Sequence, residues 1–193
     1  MKIASERVLD RLPAEEACLG AVFTSYTFDP RFFEEHALRA ILRLISDPVE
    51  QAARFHDEAR RALQETPVVA IVDAGERQPG RRLPYDLLEV ADVVFHPKSV
   101  LLLFERRARL FVGSGNLTFA GYGGNTELFI SLDLAYDDPA DAAILRAYEA
   151  HLVRISALTR KTTSTQLSLL RDALHRRLPP RPAATSSSVV LLD

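Results

Sequence analysis

A histidine and a lysine stand two residues apart in the apolar stretch ADVVFHPKSVLLLF, as His96 and Lys98. Residues two apart on a strand project from the same face, so a strand over this stretch predicts two neighbouring side chains. Burial disfavours the charged forms of both unless a partner or ligand compensates. The pair therefore predicts an anion site, most simply for a phosphate. The alternative is a histidine that bonds a backbone carbonyl and a lysine whose ammonium reaches water at the strand end.

A second polar stretch, GSGN at 113–116, follows the strand that we expect to pair with the first. Small residues allow close approach of the backbone to a ligand, and successive N–H groups can bind an anion. Ser114 adds a hydroxyl group and Asn116 an amide donor. A hairpin places this loop beside His96 and Lys98. The alternative is a plain turn, because Gly, Ser and Asn are favoured in turns.

Glu127 is a lone carboxylate within the stretch NTELFISL. Alternation along a strand puts Glu127 and Phe129 on one face and Leu128 and Ile130 on the other. A carboxylate in a sheet core needs a cationic partner, and a histidine is a natural one because the carboxylate orients the ring. The alternative is a glutamate on an edge strand that faces water.

In this order, the motifs resemble the signature of the phospholipase D superfamily: HPK at 96–98, then GSGN at 113–116. Small bacterial nucleases of that superfamily also carry a glutamate eleven residues past the asparagine, where this chain has Glu127. The resemblance covers residues 93–132 and, more loosely, the upstream stretch SYTFDPRFFEEHALRAIL. It departs from the family at Leu103, where the superfamily has an aspartate five residues after the lysine.

The resemblance implies a metal-independent phosphodiesterase with a phospholipase D-like fold. In the family one histidine attacks phosphorus and forms a phosphohistidine, and a second histidine protonates the leaving oxygen and then activates water. Lysine and asparagine hold the non-bridging oxygens. The catalytic residues that it implies are His96, Lys98, Ser114, Asn116 and Glu127. We expect no metal and no other cofactor.

Arginines cluster in two short segments of the chain, 77–82 and 106–109. Arginine forms bidentate contacts with phosphate and stacks on bases, although solvated loops are the simpler explanation for either cluster alone. The formal net charge of −2 does not favour a polyanionic partner. The predicted substrate-binding residues are Arg81, Arg82, Arg106, Arg107, Gly113 and Gly115.

The composition is that of an ordinary soluble protein, with 47% hydrophobic and 26% charged residues in 193. No apolar stretch is long enough to cross a bilayer, and the acidic N-terminus is unlike a signal peptide. One cysteine, Cys18, excludes an internal disulfide framework. We predict a cytoplasmic protein with a catalytic domain over 1–178. A Pro/Ser-rich linker or tail follows over 179–193, leading into a further domain or returning as an edge strand.

The predicted order of elements is strand, two helices, strand, hairpin, strand and two helices, which indicates an α/β fold with a mixed β-sheet flanked by helices. Asp-Pro pairs mark three helix starts, because aspartate caps the first turn and proline suits its first position. Strands are predicted at 18–27, 68–72, 90–104, 109–112 and 125–134, and helices after Asp29, Asp47 and Asp138 and over 163–177.

The partner that we expect is nucleic acid, DNA rather than RNA, and no membrane. One motif per chain implies a homodimer through the active-site face, because the family mechanism needs two histidines. A helicase or another component of a defence system is a further expected partner. The alternatives are a phospholipase or phosphatidyl transferase, and a non-catalytic nucleic-acid-binding module. Family members of the first kind usually carry two motifs in one chain, and the intact His96, Lys98 and Asn116 argue against the second.

Overall fold

The computed structural model describes residues 8–12, 16–160 and 164–180, and its centre is a six-stranded sheet in the order β3-β2-β1-β4-β5-β6. The strands are β1 (Gly20–Ser25), β2 (Val68–Asp73), β3 (Asp86–Val90), β4 (Ser99–Leu103), β5 (Arg107–Gly113) and β6 (Phe129–Ala135). Strands β1, β2 and β3 pair in parallel, whereas β4 is antiparallel to β1, and β5 and β6 continue antiparallel. The sheet is therefore mixed, as predicted.

Helices cover both faces of the sheet, which confirms the α/β fold with a flanked mixed sheet. They are α1 (Val8–Arg11), α2 (Pro30–Phe32), a π-helical turn (Phe33–Leu38), α3 (Arg39–Leu42), α4 (Ala52–Glu65), a second π-helical turn (Ala120–Gly124), α5 (Pro139–Ser156) and α6 (Thr165–Arg177). Among the described residues, none of these helices has the length and apolarity that a membrane crossing requires.

Two of the predicted Asp-Pro caps have the geometry that the sequence indicates. The Asp29 carboxylate accepts hydrogen bonds from the N–H groups of Arg31 and Phe32. Asp138 caps α5 in the same way. Asp47 instead closes a turn, and the helix after it begins only at Ala52. Ser164 caps α6, and residue 163, the predicted start, lies outside the described residues.

The sheet separates two hydrophobic cores. The first lies against α4 and the helical stretch 30–42, where the rings of Phe23 and Phe33 meet edge to face at 4.9 Å. The second lies under α5 and α6, and its members include Leu101, Leu145 and Leu170. Because the central strands are buried on both faces, they read as continuous apolar runs rather than alternating ones.

The prediction of one strand over 90–104 is wrong. Strand β3, which the sequence analysis missed, ends at Val90, and β4 begins only at Ser99. Asp92 adopts a left-handed conformation (φ 68°) that ends the extended run. Pro97 has no N–H to donate to a ladder, so pairing starts after it. His96 therefore lies on the loop 91–98, and Lys98 is the last residue of that loop before β4.

The topology brings several strand ends to one edge of the sheet, which we call the site edge. The carboxyl ends of the parallel strands β1, β2 and β3 lie there. Since β4 and β6 run against their neighbours, their first residues, Ser99 and Phe129, lie at the same edge, as does the last residue of β5, Gly113. Residues 96–98 and 113–116 therefore meet.

The predicted boundary between the catalytic domain and the linker, after residue 178, lies near the end of the described residues. The Leu178 side chain is buried under α5 and α6, and its N–H bonds the carbonyl of Leu174. Residues 181–193 lie outside the described residues, so the predicted linker or tail over 179–193 stays a prediction.

Candidate active site

His96 is displayed on the loop 91–98 by a buried anchor. The Phe95 side chain is buried, and its N–H donates to the Asp73 carboxylate at the end of β2 (2.9 Å). Asp73 also accepts from the N–H of Gly75, so it ties two loops together. The His96 side chain is exposed, which corrects the prediction that it would lie in a buried strand. The loop leaves the imidazole accessible to a substrate.

Lys98 is the buried member of the pair, with 8% of its surface exposed. Its ammonium lies 3.0 Å from Nδ1 and 3.3 Å from Nε2 of the His96 ring, and it donates to the His96 carbonyl (3.0 Å). Desolvation lowers the pKa of Lys98, and the charge of Glu127 acts in the opposite direction. Among the described residues, no carboxylate forms an ion pair with this ammonium. The site thus holds a desolvated cation that a bound anion would stabilise.

The GSGN loop joins the site through the hairpin, as predicted. The N–H of Gly113 donates to the Lys98 carbonyl (3.1 Å). Below this contact, three buried hydroxyl groups form a chain from β1 through β4 to α5. The Ser99 oxygen lies 2.8 Å from that of Thr24 and 2.7 Å from that of Tyr148. These bonds hold the start of β4 in place, and with it the backbone that carries Lys98.

Asn116 is oriented by the end of β1. Its side-chain oxygen accepts a hydrogen bond from the N–H of Thr27 (3.1 Å) and lies 3.5 Å from the Ser25 hydroxyl. The same hydroxyl accepts from the N–H of Leu117 (2.9 Å). Because the oxygen is engaged, the NH₂ group of Asn116 is the end of the amide left for a ligand. This is the orientation that a phosphate oxygen requires.

Ser114 and Glu127 bond each other rather than His96. The Ser114 hydroxyl donates to the Glu127 carboxylate and accepts from the N–H of Leu128 (3.1 Å). Asn125 donates to the other Glu127 oxygen (3.3 Å). Within the described residues, no hydrogen bond joins Glu127 to His96. The histidine lies on an exposed loop, and β5 separates β4 from β6 in the sheet. Glu127 also precedes β6, and its side chain is half-buried.

Backbone packing explains the glycines of the loop. A Cβ atom at Gly115 would lie 2.5 Å from the Gly121 carbonyl oxygen. One at Gly121 would contact the Asn116 backbone, 2.6 Å from its nitrogen. The two segments therefore touch through backbone atoms, and the second π-helical turn supports the loop that carries Asn116. Gly113 and Gly115 as direct phosphate ligands stay a prediction.

We expect Gly121→Ala to lower the free energy of unfolding by about 1–3 kcal/mol, the usual cost of overpacking, because the methyl group meets backbone that cannot turn away. The matched control is Gly123→Ala in the same π-helical turn, where a Cβ has nothing within 4 Å. Urea denaturation of both variants measures the difference. Equal stability of the two would contradict the packing argument.

The four arginines predicted to bind substrate are not gathered at the site edge. Arg81 and Arg82 lie on the segment between β2 and β3: the Arg81 guanidinium donates to the Tyr85 carbonyl, and the Arg82 backbone N–H donates to Glu34. Arg106 and Arg107 lie at the β4–β5 turn, roughly 20 Å away along a strand of seven residues.

The Arg107 guanidinium forms ion pairs with Glu16 through Nε and with Asp133 through Nη1. An arginine at the opposite end of the sheet, roughly 20 Å from Lys98, is too far away to share a ligand with it. For the arginine cluster at 106–109, the fold therefore favours a role in surface ion pairs over direct binding of a substrate at the site.

The sequence analysis missed the polar end of β1, which forms one wall of the site. Ser25 ends the buried strand β1, and Tyr26 and Thr27 follow it. Together they contact Asn116, His96 and Lys98. Polar residues at the carboxyl end of a parallel strand were the available signal, since ligands bind at that edge in open α/β sheets. The remaining histidines lie elsewhere; His36, for example, stacks on Phe32 (5.4 Å), and His151 is buried on α5.

The described residues contain no group of three or more His, Cys, Asp or Glu side chains arranged to hold a metal ion.

No protein-family model matches the chain, and none of the curated proteins matches it either. Among solved structures, a mutant of the yeast tyrosyl-DNA phosphodiesterase is similar, with 15% sequence identity, a TM-score of 0.47 and coverage of 80% of this chain. The chain spans 35% of the length of that structure, about a third.

Proposed function

We propose that this chain is a phosphodiesterase of the phospholipase D superfamily that cleaves nucleic acid through a phosphohistidine intermediate. The observation that carries the proposal is the Lys98 ammonium, which is desolvated, has no carboxylate ion pair among the described residues and lies 3.0 Å from His96. A lysine in a purely structural role normally pairs or reaches water. Here the partner that completes it is an anion bound beside an imidazole.

In the proposed reaction, an unprotonated ring nitrogen of His96 attacks phosphorus. A P–N bond forms, the P–O bond to the leaving nucleoside breaks, and that oxygen takes a proton from a second imidazole, which acts as general acid. Water then attacks phosphorus and gives a proton back to the second imidazole, while the electron pair of the P–N bond returns to His96. No electrons leave or enter, and the net change is hydrolysis.

Lys98 and Asn116 stabilise the charge that develops on the non-bridging oxygens. The ammonium supplies a full positive charge, and the Asn116 amide supplies a neutral donor whose orientation is set by Thr27. Donors aimed at developing charge contribute about 10²–10³-fold in rate each by comparison with oxyanion holes. The Ser114–Glu127 pair holds the loop between them and keeps a carboxylate near Lys98 without bonding it.

The second imidazole comes, we propose, from a second copy of the chain, since no other histidine of the described residues lies at the site. An exposed apolar surface next to the site supports this. We define the β6 patch as Val112, Leu128, Ile130 and Leu132, which are 44%, 75%, 57% and 37% exposed.

Val112 and Ile130 are register partners and so share one face of the sheet, the face that α5 and α6 cover elsewhere. The N–H of Ser114 bonds the Leu128 carbonyl, so the β6 patch is continuous with the GSGN loop. Contiguous exposed apolar side chains mark interaction surfaces. A homodimer through this face brings the two sites together.

A cytoplasmic location and a helicase or defence-system partner remain proposals from the sequence alone.

The test of the function is cleavage of labelled single- and double-stranded DNA and RNA by the full chain, with and without EDTA. We expect product in EDTA, with transfer of label from phosphate to protein in an acid-labile, base-stable form typical of phosphohistidine. Loss of cleavage in EDTA and recovery with Mg²⁺ would contradict the mechanism. The pattern of substrates cut decides between DNA and RNA.

Anion binding is expected to weaken at high pH, earlier than for an ordinary lysine site. Only the ammonium form binds an anion, and its lowered pKa means that affinity is present below that pKa and is lost as pH rises through it. Calorimetric titration with sulfate, whose charge is constant in this range, follows the loss. Lys98→Arg is the control and should move the loss to higher pH, because guanidinium stays charged. An affinity that does not change between pH 7 and about 10.4 would remove Lys98 from the anion site.

A further inference from the structure

Tyr26 contacts both His96 and Lys98. It follows the last residue of β1, and its ring centroid lies 4.7 Å from that of His96, with the planes tilted by 42°. The Lys98 ammonium lies 5.7 Å from the centre of the same ring. Tyr26 is half-buried, and its neighbours Ser25 and Thr27 hold Asn116. The segment 25–27 thus contacts His96, Lys98 and Asn116, the three residues that attack or hold the phosphate in the proposed reaction.

We propose that Tyr26 is a positioning residue, whose ring sets the His96 imidazole and stabilises the Lys98 ammonium before the substrate binds. The kinetic part of this proposal rests on the proposed function; the geometric part does not.

The reason for an aromatic ring at this position is electrostatic. A desolvated ammonium needs compensation, and the charge of Glu127 provides part of it without an ion pair. A carboxylate in direct contact with the ammonium would compensate more but would also repel a phosphate. The face of an aromatic ring attracts a cation within about 6 Å and carries no net charge. Tyr26 therefore favours the charged form of Lys98 and leaves its positive charge for the substrate.

The ring stays uncharged. Partial burial, followed by the charges of Glu76 and Asp73, raises the pKa of Tyr26. The segment that carries Glu76 is itself tied to Phe28, which accepts from Gln78 (2.9 Å) and donates to the Glu76 carbonyl (3.2 Å). Tyr26 therefore lies between the end of β1 and the fixed Phe28, whereas the imidazole that its ring contacts lies on an exposed loop.

The first test needs no enzymatic activity. The chain has only three lysines, so ¹³C-lysine labelling of the full chain gives three side-chain NMR signals, and Lys98→Arg assigns the one of interest. The charged or titratable groups around it are His96, Glu127 and Tyr26. In Tyr26→Leu we expect Lys98 to titrate about 0.5 pH unit lower than in the wild type and the His96 ring-proton signals to move.

Tyr26→Phe keeps the ring and should resemble the wild type in both signals, while Phe119→Leu, a half-exposed aromatic that packs on Phe32 and His36, controls for loss of a ring elsewhere. Thermal unfolding checks that all variants are folded. If Lys98 and His96 have wild-type signals in Tyr26→Leu, the proposal is overturned.

The second test uses bis(p-nitrophenyl) phosphate, which has no nucleobase to stack on the ring. We expect Tyr26→Leu to lower kcat by up to about 100-fold, the effect of a misplaced catalytic group, with KM within about twofold, and Tyr26→Phe to restore most of kcat. An unchanged kcat here, with a raised KM on oligonucleotides, would show a base-stacking role and overturn positioning. If the wild type cleaves nothing while the NMR differences hold, the proposed function fails and the positioning role stands.

Discussion

His96→Ala is expected to abolish cleavage of nucleic acid, with a loss of about 10⁴-fold or more. Removal of a covalent nucleophile eliminates the pathway itself, whereas removal of a donor only weakens a transition-state contact. The His96 side chain is exposed on its loop, so the substitution leaves both hydrophobic cores intact. The measurement is single-turnover cleavage of labelled oligonucleotide in EDTA, together with label retained on the protein.

His175→Ala is the matched control, because His175 is exposed on the last turn of α6 and contributes nothing to the site edge. It should cleave at the wild-type rate. Residual activity of His96→Ala within tenfold of the wild type would mean that another group attacks phosphorus, and the proposed intermediate would be wrong. Loss of cleavage with normal sulfate binding would confirm that His96 acts in the reaction while Lys98 and Asn116 hold the anion.

Ile130→Lys is expected to convert the protein to a monomer and to reduce cleavage at least about 100-fold, because each site then lacks the second imidazole. A charge within the apolar β6 patch would have to lose its water on association, which strongly disfavours contact through this face. Lysine is the informative replacement, since an added positive charge strengthens non-specific binding of nucleic acid. A fall in activity therefore cannot come from repulsion of the substrate. Sedimentation velocity measures the assembly, and the same cleavage assay measures the rate.

Ile45→Lys is its control: Ile45 is 84% exposed and precedes α4, away from the β6 patch. This variant should keep the assembly and the activity of the wild type. A wild-type chain that is monomeric at concentrations where it is active would overturn the shared site, and so would an Ile130→Lys variant that remains dimeric and fully active.

The sequence alone predicted the fold class and the residues of the site edge that lie close in the chain. Apolar runs of strand length indicate strands that are buried on both faces. Aspartate before proline at two helix starts acts through local sterics and hydrogen bonds to the first turn, which do not depend on distant partners. The β4–β5 hairpin also follows from local order, and it brings Gly113 to Lys98 as expected.

Only the tertiary structure decided which residues support His96 and Lys98 and which lie far from them. Val93 and Val94 are exposed and Phe95 is anchored by Asp73, so an apolar stretch that suggested a strand is a loop that displays His96. The parallel crossover from β2 to β3 and the far position of the Arg106 turn likewise depend on long-range pairing.

The end of β1 is the clearest case. Tyr26 and Thr27 are seventy and more residues from His96 and Asn116, so no local pattern relates them. They meet because β1 pairs with β2 on one side and with β4 on the other, which places its carboxyl end in the centre of the site edge. Residue types and spacing determined which groups could do the chemistry; strand pairing across the sheet decided which of them are neighbours, because contacts between distant segments follow from packing the whole sheet between its two cores.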